Sequence, residues 1–226
     1  AKRRKAEFEA AKRVDPTDPN ALAGVPLDAL DELSRSIVVD VDNAVRTSAA
    51  ELELAVEEFG PKQTEPFSRA VTNAKTALTQ AFNVRQILDD AIPETPLQRR
   101  DLLTRVVVAA AKADRELDAQ STSFDQLRDL VINAPARLDT MTQQMVDLTA
   151  RMDPSQQTLD GLHKQFDATA LSSVAGNVDA AEERLAFADR NITTARSLVV
   201  RPAGDQTALV DAVRAAEGAL GQARTL

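Results

Sequence analysis

The residues whose types suit catalysis or metal binding are few, and the first candidates are Asp40 and Asp42 in the run VVDVDNAV. A D-x-D pattern can hold a metal ion or a nucleotide sugar when both carboxylates reach the same ion. Residues two apart on a helix point about 200° away from each other, so on a helix these two carboxylates do not share an ion. A calcium loop would also need a glycine at its sixth position. The pair is therefore interpreted as part of a solvated helix face.

His163, in the run GLHKQF, is the only histidine, and the chain has no cysteine. General-base catalysis and metal binding both need partner groups around an imidazole, so His163 is interpreted as a surface or packing residue. The sequence also lacks the glycine motifs that cradle phosphates or present a nucleophile, namely G-x-G-x-x-G, G-x-x-x-x-G-K and G-x-S-x-G. We therefore expect no catalytic residue, no metal site and no cofactor, and hence no enzymatic activity.

Three arginines are candidate anion receptors. Arg85 interrupts an otherwise apolar heptad pattern, whereas Arg99 and Arg100 stand near the expected start of a helix, where the helix dipole disfavours cations. These positions favour ion pairing or partial burial of the aliphatic stem over the binding of a free anion.

The elements that carry these residues are predicted to be helices joined at prolines. Aromatic residues make up only 3% of the chain, and Ala, Leu, Glu, Asp and Arg dominate a sequence with seven glycines, which favours helix. Proline ends or kinks helices, so the ten prolines mark the breaks. The predicted fold is all-α, an elongated antiparallel bundle or a set of coiled-coil hairpins with proline-marked loops. The predicted helices are 27–59, 65–92 and 97–133 in a first part (27–133), and 135–152, 155–168, 173–200 and 205–226 in a second part (135–226).

Heptad spacing predicts which side chains pack between these helices. Apolar residues recur at alternating intervals of four and three from Phe67 to Ile92, and at intervals of seven from Leu103 to Val131. Small alanines share these rows and permit close helix approach. The predicted packing residues are Phe67, Val71, Leu78, Leu88, Leu103, Leu117, Phe124 and Val131.

The first 13 residues have the opposite charge to the remainder of the chain. Residues 1–13 hold six Lys or Arg against two Glu, a net charge of +4, whereas the whole chain carries −8 and the remainder therefore −12. A proline-rich linker, 14–26, follows. Three interpretations account for this reversal of charge: a nucleic-acid arm, a targeting signal and the flank of a membrane segment. The basic residues are Lys2, Arg3, Arg4, Lys5, Lys12 and Arg13.

Two of these readings fit poorly. An acidic body repels a polyanion and the chain has few aromatics for base stacking, so no nucleic-acid partner is expected. A targeting peptide needs an apolar stretch after its charges, which FEAAKRV does not supply. The longest apolar run, Val106–Ala111, has six residues, against roughly 20 needed to span a bilayer.

Several longer runs resemble, in order, the C-terminal half of an actinobacterial, in particular mycobacterial, membrane-protein family that carries a TPM domain. They include RVDPTDPNALAGVPLDALDELS, IVVDVDNAVRTS, RRDLLTRVVVAAAKADRELDAQ, FDQLRDLVINAPARLD and ERLAFADRNITTAR. The resemblance implies a signal peptide, an extracytoplasmic TPM domain and a single membrane helix upstream, followed by a basic stretch and this helical region. Because the TPM domain is not in this chain, no metal-binding or phosphatase-like residue carries over. Lys and Arg flank membrane helices on the cytoplasmic side, so the resemblance implies a cytoplasmic domain.

The function expected from residues and resemblance together is a non-enzymatic cytoplasmic interaction or scaffold domain of a membrane-anchored envelope protein. Such a domain would couple an extracytoplasmic domain to an unknown protein partner or to a second copy, and its basic residues would contact an anionic membrane surface. The alternative is the regulatory region of a hydrolase or phosphatase-like protein whose activity resides in the missing N-terminal domain.

Overall fold

The computed structural model describes residues 2–90, 92–201 and 206–226, and every regular element within them is an α-helix, which confirms the predicted all-α class. Two compact units are present, Ala1–Asp125 and Gln126–Leu226. The helices are α1 (Lys2–Ala11), α2 (Pro19–Leu22), α3 (Leu27–Gln63), α4 (Glu65–Leu88), α5 (Pro96–Ile132), α6 (Ala134–Thr149), α7 (Met152–His163), α8 (Asn177–Val199) and α9 (Thr207–Thr225).

The boundary between the compact units lies inside α5, whereas the sequence placed a break near Asn133–Pro135. Pro135 occupies the first turn of α6, where a backbone N–H has no partner within the helix, so proline is tolerated there. The proline at position 202 and the expected helix start at residue 205 lie outside the described residues.

The junction of α3 and α4 is a sharp kink at Gly60. This glycine has φ 76° and ψ 164°, a conformation open essentially only to glycine, and Pro61 follows it. The Thr64 hydroxyl donates to the Gly60 carbonyl at 2.8 Å and holds the turn closed. The chain therefore reverses directly after Phe59, where the predicted first helix ended.

The junction of α4 and α5 differs from the expected bounds, because α4 ends at Leu88 and not at residue 92. The Asp90 carboxylate accepts from the Ile92 N–H at 2.8 Å, a local turn that competes with helix continuation. Thr95 and Gln98 then start α5 as a reciprocal capping box. The Gln98 N–H donates to the Thr95 hydroxyl oxygen at 3.3 Å, and the Thr95 N–H donates to Gln98 Oε1 at 3.0 Å. Ile92, which the heptad pattern placed in the seam, is exposed.

The segment between α6 and α8 also departs from the prediction. The structure has one helix at 152–163 where the sequence indicated 155–168, because Pro154 fits inside the first turn of α7. Successive turns occupy residues 164–176, where the Asp167 carboxylate accepts from the Ala170 N–H at 2.8 Å. Helix α8 begins only after Gly176.

The first unit is built around three helices. Arg85, near the end of α4, pairs with Asp31 near the start of α3, so these two helices are antiparallel. Arg99 at the start of α5 contacts Asp31 as well, and Ser121 further along α5 donates to Glu51 at 2.8 Å, so α5 runs parallel to α3. Helices α1 and α2 pack over the end of this bundle that contains Asp31.

The second unit is built around α6, α8 and α9. Asp139 near the start of α6 pairs with Arg196 near the end of α8 at 3.0 Å, and the Asn177 amide at the start of α8 donates to the Leu226 carbonyl at 3.2 Å. Helix α8 is therefore antiparallel to both neighbours. Alanine alternates with larger residues along its buried face, which permits close packing. That face of α8 comprises Val178, Ala181, Leu185, Ala188, Ile192 and Ala195.

Candidate interaction sites

The predicted packing residues lie where the helices meet. Seven of the eight are buried and Val131 is partly buried. Phe124 packs edge-on against Phe59, with ring centroids 5.6 Å apart, and lies 6.4 Å from the Phe67 ring. This aromatic cluster joins α3, α4 and α5 at the end of the first unit that contains Gly60, and its role is packing.

Asp31 is the centre of a charged cluster at the opposite end of these three helices. Its carboxylate accepts from Arg85 Nη1 and from Arg99 Nη2 at 3.0 Å, and Arg35 lies 3.5 Å away. Burial acts to raise the pKa of Asp31, but the hydrogen bond from Arg85 and the charges of Arg85, Arg35 and Arg99 outweigh it and hold the pKa below its usual value. The guanidinium groups are paired within the chain. The cluster therefore links α3, α4 and α5 and leaves none of these guanidinium groups free to bind an anion.

The basic residues of the N-terminal segment lie on or just after α1, which packs against α3 through Phe8 and Ala11. Three of the cations make ion pairs: Arg3 with Glu7 (2.9 Å), Arg4 with Asp28 (3.1 Å) and Lys12 with Glu9 (3.5 Å). The other three are exposed, and within the described part of the chain no ion pair involves them; they are Lys2, Lys5 and Arg13.

The expected linker is ordered where it meets α1. Within residues 14–26, Asp18 caps α2 by accepting from the Asn20 N–H at 2.9 Å. Arg115 of α5 donates to the Asp15 carboxylate at 2.8 Å. These contacts attach α1 and the linker to the helical body, so the position of the exposed cations is defined by packing.

The D-x-D carboxylates have different environments. Asp42 pairs with Arg46 at 2.7 Å, whereas Asp40 is exposed and lies near Asp114 of α5. Burial, followed by repulsion from Asp118 and Asp40, raises the pKa of Asp114. In residues 2–90, 92–201 and 206–226, no three His, Cys, Asp or Glu side chains are grouped so as to hold a metal ion. Asp114 was not among the candidate residues predicted from the sequence. Asp118, a like-charged residue one helical turn later, could have indicated a raised pKa.

His163 ends α7 and is exposed. Its Nδ1 lies 3.0 Å from the Leu159 carbonyl oxygen one turn earlier, a contact within the same helix. The ring thus contacts its own helix at the surface, and the sequence had indicated a surface or packing residue.

A groove of about 440 Å³ lies between α6 and α9 in the second unit. Arg137 spans it at one end and donates to Glu217 through Nε (2.8 Å) and Nη2 (2.9 Å). The floor includes the buried Met141, and Gly221 lines the wall. Arg224 borders this groove and also a smaller adjoining one of about 160 Å³. No sequence pattern predicts the groove, because its walls come from helices that are distant in the chain.

Of the candidates, two present groups that no ion pair in the described part of the chain occupies: the α6–α9 groove, and the basic surface of α1, which consists of Lys2 and Lys5 on the helix and Arg13 just after it. No helix in the described part of the chain combines the length and apolar character needed to cross a bilayer.

Comparison with known proteins finds mycobacterial relatives of this chain. The chain is 67% identical, over 221 residues, to UPF0603 proteins of Mycobacterium tuberculosis strains H37Rv and CDC 1551. The match covers 97% of this chain but 34% of each relative, so the chain spans about a third of the length of the curated relatives it matches. No protein-family model matches the chain, and no solved structure matches it. It is thus similar to about a third of each of these longer mycobacterial proteins.

Proposed function

We propose that this chain is a non-enzymatic helical interaction domain at the cytoplasmic face of a membrane. In the longer protein it follows a single membrane anchor, and it couples an extracytoplasmic TPM domain to a cytoplasmic protein partner or to a second copy of the chain. The resemblance in the sequence and the greater length of the mycobacterial relatives support this arrangement.

The observation that carries the proposal is the open basic surface of α1. Lys2, Lys5 and Arg13 are exposed, while Phe8 and Ala11 attach the helix to the body. A cation near an anionic leaflet contributes about 1 kcal/mol of attraction, so three free cations supply roughly 3 kcal/mol before any upstream anchor is counted. The remainder of the chain is acidic and is repelled by the same lipids, so α1 faces the membrane and the body is held away from it.

Vesicle flotation with the purified chain tests the proposal. We expect the chain to float with vesicles that contain phosphatidylglycerol and to stay at the bottom of the gradient with pure phosphatidylcholine. Binding should weaken as salt is added, because the attraction is screened over about 10 Å at 0.1 M ionic strength. Equal recovery with both lipids, or no recovery with either, would contradict the membrane-facing role of α1.

A further inference from the structure

The groove between α6 and α9 holds cationic and polar groups that the chain itself does not use. Arg224 borders it, Arg151 lines the smaller adjoining groove, and within the described residues no ion pair involves either guanidinium. The partly buried Gln144 also lines it, and no hydrogen bond to its side-chain amide is present in that part of the chain. The fork of Arg137 is occupied by Glu217, so those two charges offset each other. The main groove therefore carries one surplus positive charge, Arg224, and the adjoining groove adds a second, Arg151.

We propose that this groove binds an acidic amphipathic helix supplied by a protein partner. This inference rests on the proposed function, in which the domain acts by holding a partner, and it names the site and the chemistry of that partner. Carboxylates of the incoming helix pair with Arg224 and Arg151, and its apolar side chains lie on the floor at Met141.

Three features of the groove favour this occupant. It lies along two neighbouring helices, so a third helix can lie beside them with its apolar stripe facing inward. Arginine pairs with carboxylates in a bidentate geometry, which orients the incoming helix as well as attracting it. The amide of Gln144 can donate to and accept from polar groups at the edge of the stripe.

The net charge of the chain helps it to discriminate between acidic and basic partner helices. The whole chain carries −8, so most of its surface repels an acidic segment, whereas the groove attracts it at short range. A basic helix would find the reverse, namely repulsion at the groove and attraction elsewhere. The unpaired arginines thus favour a partner segment that carries negative charge.

The three methionines provide reporters for a binding experiment. Met141 lines the main groove and Met152 lines the adjoining smaller one, whereas Met145 lines neither. The full chain with ¹³C-labelled methionine methyl groups is titrated with a panel of synthetic amphipathic peptides. Each peptide has a leucine stripe flanked by a row of Glu in a different register, and each has a matched version with Gln in place of Glu.

We expect at least one Glu peptide to shift the Met141 and Met152 resonances while Met145 stays in place. Its Gln version should bind at least about tenfold more weakly, since it lacks the charge pairing. The proposal is overturned when no Glu peptide shifts Met141, when all three resonances move together, or when the Gln versions bind equally well.

Two glycines on α9 give a matched pair of variants. A side-chain carbon added at Gly221 or at Gly218 would meet no atom within 4 Å, so both positions have space for the first atom of a larger side chain. Gly221 lines the groove and Gly218 does not. We expect Gly221→Leu to reduce peptide affinity at least about tenfold, as should Arg224→Glu, while Gly218→Leu binds as the unaltered chain does. Equal loss in both glycine variants overturns the assignment of the groove.

A second copy of the chain is the competing occupant. A Met141 shift that grows with protein concentration in the absence of peptide, together with a dimer mass by light scattering, overturns the partner proposal in favour of self-association. Vesicle flotation is measured on the same preparations. Loss of peptide binding with intact lipid binding rejects the groove alone, and loss of lipid binding with intact peptide binding rejects the membrane-facing role alone.

Discussion

Arg85 donates from its Nη1 to the Oδ1 of Asp31, a residue 54 positions earlier in the chain. Asp31 also accepts from Arg99, 68 positions later, at 3.0 Å. One carboxylate therefore links the start of α3 to the end of α4 and the start of α5. The side chains of Asp31 and Arg85 are only 17% and 15% exposed, so water compensates poorly when either is lost.

Replacing this carboxylate should destabilise the first unit. In Asp31→Asn, Arg85 and Arg99 keep their charge and lose the carboxylate, and leaving such donors without a partner costs about 1–3 kcal/mol. We expect the lower half of that range because the Arg99 side chain is 32% exposed and water can solvate it after the carboxylate is lost. Urea denaturation measures the change. The control is Asp101→Asn, which removes an exposed pair with Arg105 and should alter stability by less than about 0.5 kcal/mol. Equal losses in the two variants would show that the cluster contributes nothing specific.

The same cluster predicts a pH dependence. The pKa of Asp31 is lower in the folded chain than its usual value of 3.8, so the folded state binds this proton less readily than the unfolded state does. Its stabilising contribution is fully present above pH 3.8 and is lost as the pH falls through the folded pKa. The stability difference between the unaltered chain and Asp31→Asn should therefore shrink below that pH. A difference that stays constant down to strong acid would contradict this assignment.

Gly60 and Gly218 should respond to alanine with opposite signs. The Gly60 backbone, at φ 76° and ψ 164°, is closed to alanine at a cost of about 1–3 kcal/mol. Gly218 is inside α9 with open space around it, and alanine there should stabilise by about 0.5–1 kcal/mol. Thermal or urea denaturation of Gly60→Ala and Gly218→Ala measures both effects. A neutral Gly60→Ala would mean that the α3–α4 junction has a different backbone conformation.

The aromatic cluster predicts a large effect at Phe124. Its ring contacts Phe59 and Phe67, and removing a buried phenylalanine costs about 3–5 kcal/mol. Phe124→Ala should therefore lower the urea midpoint of the first unit strongly. Phe82→Ala is the matched control, since Phe82 is 53% exposed and its loss should cost less than about 1 kcal/mol. Similar midpoints for the two variants would exclude the predicted difference in packing.

The heptad pattern predicted much of this interior because burial on a long helix follows the sequence period. Phe67, Leu103 and Phe124 are buried as the spacing indicated. Ile92 shared the pattern but is exposed, since the Asp90 turn ends α4 before the period reaches it. The heptad spacing of apolar residues can extend past the real end of a helix. This happens because the spacing does not reveal the hydrogen bonds of polar turn residues that end the helix.

The charged sites were predictable only in part. Arg85 and Arg99 were expected to form ion pairs, yet their partner Asp31 could not be named because it comes from another helix. The groove between α6 and α9 was even less predictable from the sequence. Arg137 and Glu217 are 80 residues apart, and their pairing depends on the register between α6 and α9, which no local pattern encodes.

Asp114 should destabilise the folded chain at neutral pH. Burial and the charges of Asp118 and Asp40 raise its pKa in the folded state, so the protonated form is favoured by folding. Asp114→Asn removes the repulsion and should stabilise the chain at pH 7 by about 0.2–0.5 kcal/mol, the size of one like-charged pair a turn apart. The gain should fade as the pH falls through the folded pKa and the carboxyl group becomes neutral. Asp101→Asn, at an exposed position of the same helix where the carboxylate pairs with Arg105, should give no such gain in urea denaturation.

The central claim is that α1 faces an anionic membrane, and the most direct measurement is vesicle flotation of two charge-matched variants. One carries Lys2→Glu, Lys5→Glu and Arg13→Glu on the basic surface, and the other carries Lys75→Glu, Lys164→Glu and Arg184→Glu at exposed positions elsewhere. Both have the same net charge. The account predicts that the first variant loses binding to phosphatidylglycerol vesicles by at least about a hundredfold while the second keeps most of it. Equal losses in the two variants would contradict the account, because net charge and not the surface of α1 would then govern binding.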